Sequence, residues 1–259
     1  MKKPLIALAT VAVSAAVVPS LASAQAAAPA SPLTGNLTIT SDYRFRGISQ
    51  SFRLPAVQGG IDWAHSSGVY LGNWNSSVSG NQYPNGASLE MDFYGGYKFP
   101  VGKDVTLDVG ALYYYYPGAF YNGFTGKPKY DNFELYFGGV MGPFSAKLFV
   151  AVTDFFGLDT TTGGKSSSGS YYVDLNYSTE IAPKLTVGAH IGYQNVRNYS
   201  SLSYIDYKLG VTYDWTGWLL SAAIVGSDAD KNLYFATDSS GKIKRLGETG
   251  LVLSIGKTF

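Results

Sequence analysis

The chain has 259 residues, enough for one large domain or two small ones, with only 14% charged, 15% aromatic, 21 Tyr and 31 Gly. An ordinary globular domain carries about a quarter of charged residues, and a formal net charge of +1 gives no reason to expect nucleic acid as a partner. Cysteine is absent, which excludes disulfides, thiolate metal sites and thiol catalysis.

Residues 1–24 form a polymer of their own. A basic "MKK" precedes an Ala-rich apolar run that ends in Ala22-Ser23-Ala24, the pattern of a cleaved signal peptide for Sec-type export. The mature chain is expected to begin at Gln25. Loss of Lys2 and Lys3 leaves 17 basic against 18 acidic residues. No later apolar run is long enough for a spanning helix, so any membrane crossing requires a closed barrel. Residues 25–34, "QAAAPASPLT", lack periodicity and read as a short tail.

Residues 35–259 read as one barrel. The segment Gly35–Gly47 alternates, with Leu37, Ile39, Tyr43 and Phe45 on one parity and Asp42, Arg44 and Arg46 on the other. "AVQGGIDWAH" sets Val57, Ile61 and Trp63 against Gln58 and Asp62, and "VYLGNWNSSV" has weak parity. "ASLEMDFYGGYK" sets Leu89, Met91, Phe93 and Tyr97 against Glu90, Asp92 and Lys98. Asp108, Glu134, Lys147, Asp174, His190, Asp206 and Lys208 occupy the polar parity of later segments. Twelve such segments of 8 to 12 residues emerge, near the ~9–11 residues a tilted strand needs to cross a bilayer.

The links alternate. Short ones fall at 66–68, 99–104, 142–144, 180–184 and 216–217, and long ones at 48–55, 79–86, 117–131, 155–169, 196–205 and 226–248. Short periplasmic turns and long extracellular loops are the mark of a transmembrane antiparallel β-barrel. The expectation is therefore an all-β fold of twelve strands in a bacterial outer membrane, apolar parity toward lipid and polar parity toward the lumen. Tyr43, Phe45, Trp63, Tyr97, Tyr113, Tyr115, Tyr177, Tyr193 and Tyr213 are expected in the aromatic girdles. The end, "LVLSIGKTF", puts Leu251, Leu253, Ile255 and terminal Phe259 on one parity, interrupted by Lys257; it resembles the signal by which outer-membrane barrels meet the barrel-assembly machinery, a contact expected through Phe259.

The blocks "SDYRFRGISQS", "PAVQGGIDW" and "SLEMDFYGGYK", with "YVDLNYS", "LTVGAHIGYQN" and "SYIDYKLGVTYDW" further on, resemble the TorF family of porin-like outer-membrane proteins. The resemblance covers residues 35–259 and implies a barrel. It supplies no substrate, because that family is itself catalogued as of unknown function.

Candidate pore-lining residues are Asp42, Arg44, Arg46, Gln58, Asp62, Glu90, Asp92, Lys98, Asp108, Glu134, Lys147, Asp174, His190 and Lys208. Rings of such charges select solutes; alternatively they pair and fill a narrow lumen, with Arg44 and Arg46 expected to meet Asp62 or Glu90. Glu90 and Asp92 invite a paired-carboxylate reading, but wall charges are the simpler account. His65 and His190 are too few and too far apart for a metal site. A membrane-surface hydrolase would need Ser and His together on the lipid face, and no such pair is visible. "DTTTGG" and "SDADKN" lack complete calcium-loop spacing. The expectation is a non-enzymatic channel for small polar solutes or ions, without cofactor or metal. The alternative is a plugged or adhesin-type barrel acting through its loops.

Overall fold

The computed structural model describes residues 32–83 and 87–259. The signal segment 1–24 and most of the tail lie outside them. Twelve antiparallel strands close into one barrel in sequence order, the last pairing with the first. They are β1 (Leu33–Thr40), β2 (Ala56–Ala64), β3 (Val69–Ser77), β4 (Leu89–Val101), β5 (Val105–Tyr115) and β6 (Asn132–Met141). The chain continues with β7 (Phe144–Ala151), β8 (Tyr171–Ala182), β9 (Leu185–Asn195), β10 (Tyr204–Trp215), β11 (Trp218–Ser227) and β12 (Gly250–Thr258). Closure pairs Ile39 with Ile255, and Gly35 exchanges backbone hydrogen bonds with Phe259, so the first strand begins and the last strand ends at the short-turn end.

Alternation decides which way each side chain points. Leu37, Ile61, Leu71, Leu135, Phe137, Leu209 and Leu251 all face outward and are exposed. Most of their outward neighbours are apolar too, Asn73 and Lys257 being exceptions, a surface that water does not favour and lipid does. Trp63, Tyr97, Tyr113, Tyr177, Tyr193 and Tyr213 face outward as expected. On β3, where parity was weak, Trp74 is buried inside and Asn73 and Asn75 point out. They are linked, Asn75 Nδ2 donating to Asn73 Oδ1 at 2.7 Å and Asn73 Nδ2 to the Asp92 carbonyl at 3.0 Å, while Asn75 Oδ1 is buried without a hydrogen bond among the described residues. With its backbone closed on itself and no free sheet edge, the barrel meets the hydrogen-bonding demand of a bilayer.

The first expected strand is too long. β1 stops at Thr40, and residues 41–55 turn into the lumen instead of rising above it. Tyr43 and Phe45, expected in a girdle, are both 1% exposed. The reason lies in the local sequence. Arg44–Phe45 and Ile48–Ser49 form a small hairpin in which Phe45 pairs with Ile48, so Arg46 and Gly47 are its two-residue turn. Both have positive φ, 42° and 80°, as the tight hairpin turns compatible with strand twist require. The hairpin alternates like a strand because it is one, but both its faces end inside the barrel. A second short hairpin, Phe235–Thr237 with Ile243–Arg245, lies in the long link before β12.

Candidate functional site

The lumen divides in two. At the long-loop end it is filled by residues 41–55, with aromatic side chains from the wall and from the other loops packed around them. Phe45 meets the rings of Tyr114 and Phe156 edge-on, Tyr43 meets Trp74, and Tyr83 stacks on Tyr116. Each buried aromatic of this kind contributes on the order of 1.5–3 kcal/mol. At the short-turn end the wall stays polar and accessible, making an open cup.

Arg46 holds the inserted segment to the far wall. Its Nη2 donates to Glu134 Oε2 at 2.7 Å and its Nη1 to Glu134 Oε1 at 3.2 Å and to Gln194 Oε1 at 2.7 Å. The guanidinium also lies 4.2 Å from the Tyr172 ring centre and 5.3 Å from that of Phe149. These partners come from β6, β7, β8 and β9, so a loop leaving β1 crosses the whole lumen. The turn behind Arg46 presses against β10 and β11: a Cβ on Gly47 would meet Asp206 Cβ at 2.6 Å and the Gly226 carbonyl at 2.8 Å.

Asp42 knits the segment to itself, accepting from Arg44 Nε at 2.5 Å and from the hydroxyls of Ser49 at 2.6 Å and Ser51 at 3.2 Å. Asp42, Arg44 and Arg46 are therefore in the lumen, but on an inserted loop and not on the wall. Their expected partners are corrected as well: Arg44 pairs with Asp42 and Arg46 with Glu134, not with Asp62 or Glu90. The register explains it. With β1 ending at Thr40, the hairpin carries both arginines past the neighbouring strands.

The wall residues fall on the expected face. Glu90 accepts the Tyr43 hydroxyl at 2.9 Å. Asp92, equally buried, has neither carboxylate oxygen hydrogen-bonded among the described residues. Level with Glu90, Gln58 donates to Ser76 Oγ at 3.3 Å, and lower down Asp62 accepts the Tyr94 hydroxyl. Asp108 takes the Tyr70 hydroxyl at 2.6 Å and Lys147 at 2.9 Å, and Lys98 lies 4.8 Å over the Tyr70 ring. Across the cup, His190 stands between Asp174 at 2.9 Å and Asp206 at 2.8 Å, with Lys208 exposed next to it. The cup thus alternates acids and bases around its rim, a wall that water and small polar solutes can wet.

Several residues that build the closure were not singled out from the sequence: Ser49, Ser51, Tyr114, Phe149, Tyr172 and Gln194. The inward parity of Tyr114, Phe149, Tyr172 and Gln194 was legible, but nothing marked which wall position an inserted arginine would meet.

A family model described as "Bacterial protein of unknown function (Gcw_chp)" matches residues 23–259. No curated protein matches the sequence. Among solved structures, the KdgM porin superposes with a TM-score of 0.50 at 10% identity, covering 88% of this chain and 97% of its own. A KdgM structure in complex with disordered oligogalacturonate gives the same figures. The NanC porin gives a TM-score of 0.52 at 9% identity, covering 88% of this chain and 98% of its own. At such identities the likeness is one of fold.

Proposed function

We infer that this chain, which belongs to the bacterial family Gcw_chp, is a porin-like channel of the outer membrane for small polar solutes or ions, shut at its long-loop end by residues 41–55. The resemblance to the TorF family, read from the sequence, is part of the same proposal. One observation carries it: below the inserted segment the wall is polar and accessible, and residues 41–55, with the loop and wall side chains packed on them, stand between this cup and the other side. Wall charges such as Lys98, Lys147 and Lys208 beside Asp62, Asp108 and Asp174 would then set selectivity. KdgM has been crystallised with oligogalacturonate, a polyanion. The cup here mixes both signs of charge, which favours small polar solutes over a long polyanion. Phe259, exposed at the end of the last strand, is where we place the contact with the assembly machinery. No catalytic step belongs to this reading.

The test is single-channel conductance of the refolded barrel in a planar bilayer, beside a variant with residues 42–53 replaced by a short Gly-Ser linker. Steps that become larger or more frequent in the variant support a channel closed by its own loop. Silence of both, with folding verified, favours the second reading, a plugged barrel acting through its outer loops. The aromatic packing of those loops is the observation that keeps it in play.

A further inference from the structure

The inserted segment is gripped from both flanks by neighbouring loops, and the two grips differ. On the β3–β4 side, the Phe52 amide donates to Gln82 Oε1 at 2.9 Å and the Ser79 amide to the Gln50 carbonyl at 3.0 Å. Both contacts are buried or close to the wall. On the β11–β12 side, loop 228–249 reaches over the segment with its own backbone. Arg44 Nη1 donates to the Leu246 carbonyl at 3.1 Å and the Glu248 carbonyl at 2.9 Å, and the Ser49 amide donates to the Leu246 carbonyl at 2.9 Å. Lys244 Nζ donates to the Phe52 carbonyl at 2.9 Å, and Arg53 pairs with Glu248 at 2.8 Å.

The outer side of this loop is open. Asp228, Asp230, Arg245, Glu248 and Thr249 line a cleft of about 440 Å³ beside the same residues whose carbonyls hold Arg44. The Arg53–Glu248 pair is itself half-exposed, so it contributes little and weakens in salt. A loop held by backbone carbonyls on one side and an open cleft on the other is suited to transmit an event outside to the segment inside.

We propose that loop 228–249 is the latch of the inserted segment: residues 41–55 leave the lumen only when this loop lifts from Arg44, Ser49 and Phe52. The consequence for current rests on the channel reading above. The latch itself does not.

The two are separated by reading exposure and current independently. The chain has no cysteine, so a single introduced thiol is a clean reporter. Ser76 is fully buried on β3, the flank away from the latch, and faces Glu90, which accepts from Tyr43. Ser76→Cys in the folded barrel is labelled with a water-soluble maleimide, with loop 228–249 intact and with residues 230–247 replaced by a four-residue Gly-Ser turn. The latch predicts at least a ten-fold faster labelling without the loop; a rate within two-fold overturns it. Where the shortened barrel does not fold, Lys244→Met with Glu248→Gln serves, with a three-fold increase expected and an unchanged rate again fatal. Ala56→Cys, also buried, is the reserve reporter. Faster labelling without any current keeps the latch and removes the channel. Current without a change in labelling keeps the channel and removes the latch.

Discussion

Arg46 and Glu134 meet as a two-pronged pair across the barrel, 88 residues apart, with Nη2 to Oε2 at 2.7 Å and both side chains almost wholly buried. A pair of this kind adds little by itself, because desolvating two charges offsets their attraction. Removing one partner is another matter, since it strands the other charge in a dry site. Arg46→Ala is therefore expected to lower stability by about 3–5 kcal/mol. The double change Arg46→Met with Glu134→Met is expected to recover most of it. Urea unfolding of the vesicle-embedded barrel, followed by Trp fluorescence, measures both. Equal losses in the single and double variants would mean that the pair is solvated.

Gly47 tests the seat of the inserted segment. Its φ of 80° disfavours any side chain, and an added methyl would collide with Asp206 Cβ and the Gly226 carbonyl. Gly47→Ala should push the hairpin off the β10–β11 wall while leaving the barrel strands paired. The expected outcome is an unchanged gel shift on heating, which reports an intact barrel, together with protease cleavage within 41–55 that the parent resists. Resistance equal to the parent's would show that the hairpin seats elsewhere.

How far the sequence reaches is clear from two turns of the same geometry. Thr216 and Gly217, with φ of 52° and 87°, join Trp215 to Trp218, and "TG" was readable as a turn because parity and apolar runs stop on either side. Arg46 and Gly47 do the same between Phe45 and Ile48, yet alternation runs unbroken from Leu37 to Phe45. Period two reports that a segment is extended, not which space its two faces see. Strand number, order and lipid-facing side follow from local alternation and loop lengths, and were legible. The pairing of Arg46 with Glu134 depends on where a loop travels after β1 ends, which no local pattern encodes. Asn73 and Asn75 mark the other limit: two carboxamides on the outward face that alternation alone could not orient.

The bases of the cup offer a test of the channel reading itself. Lys208 is exposed and Lys147 is partly so, on different strands of the accessible half. In a conducting form, Lys147→Glu with Lys208→Glu should move reversal potential toward cation preference under a salt gradient. The shift should shrink at high ionic strength, as screening shortens the reach of wall charges. A reversal potential identical to the parent's would place the conduction path away from this wall.

The outward face makes the most direct prediction about the membrane. Leu209 is 60% exposed near the middle of β10, paired across the ladder with Ala189 and Ile224, both also outward. An arginine there would sit in hydrocarbon, at a cost of about 2–4 kcal/mol near the midplane of a transmembrane barrel. Thr186, one strand away, has the opposite parity and looks into the cup. Thr186→Arg should stay within about 1 kcal/mol of the parent, because water reaches its side chain. Thr186 lies three ladder positions nearer the short-turn end than Leu209, so folding titrations into lipid vesicles include Val187→Arg, outward beside Thr186, as the control for depth, and its penalty should also exceed that of Thr186→Arg. A penalty for Leu209→Arg well above that for Thr186→Arg fixes which face meets lipid. Equal penalties would mean that the apolar belt is covered by something other than a bilayer.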